Sequence, residues 1–189
     1  MPSATRDLPR PWREFLAEVD HLLREPIAVH CLGGFIVEVI HGGPRSTGDL
    51  DYVEIIPSGA LEHLQAIAGP ESGLARKYAL YFQHVGVASL PESYEDRLVE
   101  LFPGRFRKLR LFEIEAHDLA LSKLARNAPR DRDDVAHLAR AVPLSAHILR
   151  TRYEQELRGI IIGDPSWHHQ TLEMWIEAYF PQSGPASAR

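Results

Sequence analysis

VHCLGGFIVEVIHGGPRSTGDLDYVEII, residues 29–56, is the stretch on which the fold turns. With Ile27 and Ala28 ahead of it, it begins as a short run to Leu32 that is apolar except for His30. A strand buried on both faces has that composition. Gly33-Gly34 ends the strand where a short helix, about Phe35 to His41, is expected to begin. A helix N-terminus presents unpaired N–H groups and a partial positive charge, and glycine lets an anion approach them. Gly42-Gly43-Pro44 is a turn by composition. Asp49-Leu50-Asp51 then opens a second strand that continues with Tyr52, Val53, Ile55 and Ile56. Side chains alternate along a strand, so Asp49 and Asp51 point to one face. Two carboxylates held that way can share divalent cations, and magnesium prefers such oxygens together with phosphate oxygens. Each feature alone has a plainer reading, a tight turn for the Gly-Gly pair and a local cap for the aspartate. Their succession in this order and register favours a site for an anion and its metal.

Outward from this block, Trp12, Phe15, Leu16, Val19, Leu22 and Leu23 recur at helical spacing and predict an amphipathic helix from about Pro11 to Arg24. Residues 1–10 hold too little apolar content to fold and are expected to be flexible. Beyond the Asp-x-Asp strand, Pro57-Ser58 predicts a helix over about Gly59 to Ala68, with Ser58 as its N-cap and Gly69-Pro70 as its stop. Tyr78 to Ala88 is rich in aromatic and branched residues and predicts a third strand. Leu98 to Phe102 and Lys108 to Ile114 predict two more. From Ala116 the pattern is helical: His117 to Ala128, Asp131 to Ala141, Ser145 to about Ile160, and a last helix from Pro165-Ser166. Residues 183–189 are expected to be a disordered tail. The fold class is therefore α/β (α+β): a mixed sheet with helices over residues 11–115, followed by a C-terminal helical portion, 116–182.

Composition narrows the function classes. A hydrophobic fraction of 44% with 25% charged residues describes an ordinary globular chain. No apolar run reaches the roughly 20 residues that span a bilayer, so no membrane partner is expected. The first residues carry no apolar signal core, and the single cysteine, Cys31, excludes an intrachain disulfide, so a cytoplasmic setting is expected. Cys31 reads as a small core residue. A net charge of −5 does not advertise nucleic acid. The basic run Arg105, Arg107, Lys108 and Arg110 could meet phosphates but reads first as a solvated face. The ten histidines show no zinc-site spacing.

Gly-Gly, a helix and then Asp-x-Asp on the next strand resembles the nucleotidyltransferase superfamily of the polymerase-beta type. The intervening Arg45-Ser46-Thr47 resembles its minimal bacterial branch, which includes AbiEii-like toxins and the MNT-type proteins of toxin–antitoxin pairs. HDLALSKLARNAPRDRDDVAHL adds Lys123 followed by Arg130-Asp131-x-x-Asp134, similar to an element of the AbiEii-like proteins. SYEDRLVEL with HDLALSKL resembles a bacterial family of unassigned function in the same superfamily. Together these cover roughly residues 27 to 140. The resemblance implies a metal-dependent transfer of a nucleoside monophosphate from a nucleoside triphosphate (NTP) to a hydroxyl. It implies Asp49 and Asp51 as ligands of Mg2+ (or Mn2+). Gly33, Gly34, Arg45 and Thr47, with Lys123 and Asp131, would hold the triphosphate. The implied acceptors are RNA, a tRNA end included, or a protein hydroxyl, in a toxin–antitoxin or phage-defence setting with a cognate toxin or antitoxin partner. Helix-surface placement for Lys123, and favourable acids in a helix first turn for Asp131, Asp133 and Asp134, account for those residues equally well.

In one respect the pattern departs from the superfamily. A third carboxylate is expected on a later strand beside the pair, where it also serves as base. YALYFQHVGVA carries no Asp or Glu, only His84. Glu113, in KLRLFEI, is the substitute, with Glu100 as another. The alternative to an active transferase is therefore a catalytically impaired member of the fold that serves as a binding or antitoxin-like regulatory module.

Overall fold

The computed structural model describes residues 8–180. The expected tail 183–189 lies outside these, as does all but the end of the expected flexible start, 1–10, and there Leu8 is buried. The chain divides into two compact units. The first runs up to Ala88 and resumes over Glu95–Glu115; the second is Ser89–Tyr94 and the chain from Ala116 onward. Among the described residues no helix is long and apolar enough to cross a membrane.

The first unit is a mixed five-stranded sheet of order β3-β2-β1-β5-β4 with helices. Its strands are β1 (Ile27–Leu32), β2 (Asp49–Ile56), β3 (Tyr81–His84), β4 (Val99–Leu101) and β5 (Leu109–Glu113). β1 pairs antiparallel with β2 and parallel with β5; β3 is parallel to β2 and β4 antiparallel to β5. Helix α1 (Trp12–Leu22) buries Trp12, Phe15, Leu16 and Val19, the positions its periodicity selects. Directly paired residues share a face of the sheet. Val29, Cys31, Leu50, Tyr52, Phe82, Leu109 and Leu111 are all buried on one face. Phe15 packs there, its ring centroid 5.9 Å from that of Phe82.

A bulge in the β1–β2 pairing makes that face continuous. The register steps from His30↔Glu54 to Cys31↔Tyr52, leaving Val53 as the extra residue. Tyr52 and Ile55, three apart in sequence, thereby both reach the buried face. At the other end of α1 the Asp20 carboxylate accepts N–H groups from Arg107 (3.2 Å), Lys108 (2.7 Å) and Leu109 (2.8 Å), which fixes the entry to β5.

Several local expectations are corrected. The helix expected over Gly59 to Ala68 opens as a 3-10 turn, Ser58–Ala60, before α2 (Leu61–Ala68), and Ser58 makes no capping bond. The expected strand Tyr78 to Ala88 shrinks to β3. A helix, α3 (Gly73–Tyr78), precedes it, started by Ser72, whose hydroxyl accepts the Ala75 N–H at 3.0 Å. Ala79, at φ 55°, then turns the chain into β3.

The second unit is helical: α4 (Ala116–Leu121), α5 (Pro129–Ala141), α6 (Ala146–Arg152), a π-helical turn Tyr153–Leu157, and α7 (Pro165–Tyr179). Proline opens α5 and α7 at the position where a missing N–H costs nothing. Ser145 and Asp164 cap α6 and α7. The helix expected over His117 to Ala128 ends at Leu121, and turns follow it to Arg126. The reason lies in buried charge. Lys123 Nζ reaches Asp134 at 2.8 Å, and Arg126 grips Asp131 with two bonds of 2.6 and 2.8 Å. Asn127, at φ 43°, then reverses the chain into α5.

Candidate functional site

The site is built at one end of β1 and β2. Gly33 follows β1 at φ +72°, and a Cβ there would stand 2.1 Å from Asp51 Oδ2. Only glycine allows the turn and the carboxylate to occupy this space together. Gly34 has ordinary right-handed helical torsions and leads into Phe35–Ile40, a π-helical turn in place of the expected α-helix. A widened turn of this kind recurs at functional sites. The Asp51 carboxylate therefore lies against the backbone that would receive an anion.

Asp49 and Asp51 share the face opposite the buried one. Asp51 pairs with Leu32 across β1, and with Gln83 across β3; Asp49 pairs with Tyr81. Thr47 sits just before the strand and donates its hydroxyl to Asp49 Oδ1 at 2.6 Å, which orients that carboxylate. Arg45 is held by Glu38 from the π-helical turn. Glu38 Oε2 accepts the Arg45 backbone N–H at 2.8 Å, and Oε1 accepts Nε at 2.8 Å and Nη2 at 2.7 Å. Gly33, Gly34, Arg45, Thr47, Asp49 and Asp51 thus all belong to the first unit and to one turn–loop–strand segment of it.

Glu113 is placed otherwise. It pairs with Cys31, one residue before the Leu32 that pairs with Asp51, so the register sets Glu113 on the opposite face from the aspartates. There its Oε2 lies 3.2 Å from His41 Nε2. Glu100 pairs with Phe112 and shares the aspartate face, but β4 stands three strands from β2, and Arg110 grips it at 2.9 and 3.0 Å. The β3 residues on the aspartate face are Tyr81 and Gln83, neither of them acidic. Cys31 is fully buried, and burial pushes its thiol far above the ordinary range, with Glu113 and Asp51 adding to the shift. A thiol held so far from ionisation is no nucleophile.

Lys123 and Asp131 lie in the second unit. Lys123 is buried, not on a helix surface, and makes the 2.8 Å pair with Asp134 and a longer 3.8 Å contact with Asp131. Asp131 stands in the first turn of α5 and accepts the Ala128 N–H at 2.9 Å, a capping bond. Burial alone would raise its carboxyl. The Arg126 bonds, the Ala128 N–H and the charges of Lys123 and Arg126 outweigh that and hold it below the usual range. Within this unit Lys123, Asp131 and Asp134 of the element form a buried ionic cluster, which the exposed Arg126, and not the exposed Arg130 of the element, joins from outside.

Residues 29–180 match a protein family described as "Nucleotidyltransferase of unknown function (DUF6036)". The chain belongs to this family. The match takes in the glycine turn, the aspartate pair and all four α-helices described in the second unit. No curated protein and no solved structure matches the chain.

The donor set of this nucleotidyltransferase domain can be tested against a divalent cation. Asp49 and Asp51 offer carboxylate oxygen on one face, the ligand type magnesium takes, and the missing Cβ of Gly33 makes room for the Asp51 carboxylate. Among the described residues no group of three or more His, Cys, Asp or Glu side chains forms a metal-holding cluster. A cation held by the two aspartates would have to complete its shell with phosphate or water oxygens, as magnesium commonly does.

Glu38 and Gln83 are the participants that sequence reasoning passed over. For Glu38 a signal existed: a lone acid inside the apolar run FIVEVI, which burial tolerates only with a charged partner. Gln83 carried none, because its placement beside Asp51 is a matter of strand register.

Proposed function

We propose that this chain is a nucleotide-binding module of the nucleotidyltransferase fold in which group transfer is impaired, and that it works as a binding or antitoxin-like regulatory partner. The observation that carries this reading is the neighbourhood of the aspartate pair. Tyr81 and Gln83 stand beside it, and Glu113 faces away toward His41. Among the described residues no third carboxylate forms a cluster with the pair, and on this reading the base that would take the proton from an attacking hydroxyl is missing. What remains is a binding site. Asp49 and Asp51 would hold Mg2+ or Mn2+ with the triphosphate of an NTP. Gly33 and Gly34 would let phosphate oxygens approach the backbone, and Arg45 would supply charge-assisted bonds. Thr47 holds the Asp49 carboxylate in place for the cation. Magnesium bound there would offset the charge of the triphosphate.

A second reading is favoured by one observation: the aspartate pair is intact, and Asp49 is oriented by Thr47. On that reading the protein moves a nucleoside monophosphate from an NTP to a hydroxyl of RNA (a tRNA end included) or of a protein. The AbiEii-like and MNT-type resemblance is the ground on which we propose, for either reading, a bacterial toxin–antitoxin or phage-defence setting in the cytoplasm.

A thermal melt with each of the four NTPs, with and without magnesium or manganese, tests the site. An NTP at about 100 times its Kd adds roughly 2.7 kcal/mol, which raises Tm by about 5–10 °C in a chain of this size. A metal-dependent rise without label transfer to RNA or protein is the result expected. Label transfer would establish the second reading, and no rise with any NTP would refute both.

A further inference from the structure

We propose that Glu38 is the positioning residue of this site, setting Arg45 and its loop for a metal-bound nucleoside triphosphate; the inference rests on the nucleotide-binding reading above. Glu38 lies in the π-helical turn with its side chain 1% exposed. A carboxylate so deep is costly unless it is paired and fully hydrogen-bonded. It bonds to Arg45, whose backbone N–H and guanidinium occupy the two carboxylate oxygens separately. Main chain and side chain of residue 45 are thus clamped at once. Gly43 tightens the loop further: a Cβ there would stand 2.1 Å from Glu38 Oε2, so the main chain passes directly over the carboxylate.

The clamp reaches the metal-binding pair through the chain. Two residues beyond Arg45, Thr47 donates to Asp49 Oδ1 at 2.6 Å. An ion pair as buried as this adds little net stability over well-packed apolar residues. What it supplies is definition of position. A guanidinium is a planar fork of five donors, and bonding Nε and Nη2 to one carboxylate oxygen fixes the plane in which the fork lies. The Arg45 side chain is still 31% exposed, so the fixed fork is presented at the surface for the bonds that phosphate accepts.

The test is calorimetric titration of the full chain with each NTP plus magnesium, for the wild type, Glu38→Gln, Arg45→Ala and the double variant. Loss of one charge-assisted contact weakens binding about tenfold. Glu38→Gln and Arg45→Ala should each raise Kd by about that much, and the double variant should bind no more weakly than Arg45→Ala alone. A purely structural Glu38 would lower Tm and leave Kd unchanged, and that result overturns the proposal, as does additivity in the double variant. Gly43→Ala, which displaces the carboxylate without removing it, should reproduce the rise in Kd and decides the matter should Glu38→Gln fail to fold. A wild type that binds no NTP would remove the nucleotide reading itself, and the clamp's role with it, a failure distinct from unchanged Kd in the variants.

Discussion

Replacing Gly33 by alanine probes the approach of the glycine turn to the aspartate pair. The new methyl carbon would stand 2.1 Å from Asp51 Oδ2 and 2.9 Å from both Cβ and Cγ of that side chain. Carbon atoms in good contact sit about 3.5–4.0 Å apart, so either Asp51 leaves its place or the strand end shifts. The backbone adds to the cost, because at φ +72° a side chain is disfavoured by about 1–2 kcal/mol. Overpacking of this kind costs a further ~1–3 kcal/mol. The sum is about 2–5 kcal/mol, a fall in Tm on the order of 10 °C for a chain of this length. Gly59→Ala is the control, since nothing lies within 4 Å of a Cβ at that position. Differential scanning fluorimetry reads stability, and titration with NTP and magnesium reads the site. The expectation is a destabilised Gly33→Ala that no longer binds, beside an unaffected Gly59→Ala. A Gly33→Ala protein with wild-type Tm and wild-type affinity would refute the reasoning, because no metal-competent Asp51 can coexist with that methyl group.

Other substitutions test the remaining contacts. Lys123→Met removes the 2.8 Å partner of buried Asp134, and urea unfolding should show a loss of about 3–5 kcal/mol; an unchanged midpoint would mean that Lys123 is not a structural cation. Asp20→Ala removes the acceptor of three backbone N–H groups, and chemical denaturation at pH 7 should show a lower midpoint. Burial pushes the Asp20 carboxyl up, but the N–H groups of Lys108, Leu109 and Arg107 outweigh it, so its folded value is lowered. A lowered carboxyl contributes stability above its unfolded value of about 3.9 and loses it as pH falls through the folded value. The gap between wild type and Asp20→Ala should therefore close in acid below about pH 4; a gap constant from pH 7 to 2 would contradict the assignment. Thr47→Val removes the donor to Asp49 Oδ1 and should weaken magnesium-dependent NTP binding with little change in apo Tm, and equal affinities by titration would count against Thr47 as an orienting residue.

Much of this protein is settled by local pattern. The run from Ile27 to Leu32, the glycine stop and the aspartate opening of β2 stand where composition and period place them, since strand alternation and turn chemistry act over a few residues. The helical character of the second unit follows from the same kind of signal, with Ser145 and Pro165 marking helix starts, while α5 begins at Pro129, two residues before the expected Asp131. Nucleotidyltransferase character is legible for the same reason, because the Gly-Gly and Asp-x-Asp block is contiguous, whereas the family match does not show the AbiEii-like or MNT-type branch.

Tertiary structure decided what depends on register and burial. KLRLFEI reads as a strand, but which face Glu113 takes depends on Cys31 being its partner, one residue from the partner of Asp51, and a one-residue step reverses a side chain. The same rule stations Gln83 beside Asp51. Lys123 had the sequence of a helix-surface residue. Its burial against Asp134 follows from turns after Leu121, which helix propensity did not disclose because the pairing joins residues eleven apart. Glu38 reaches Arg45 only because the π-helical turn and the Gly43 loop fold the two together. Local pattern named the aspartates, and long-range pairing determined which residues stand beside them.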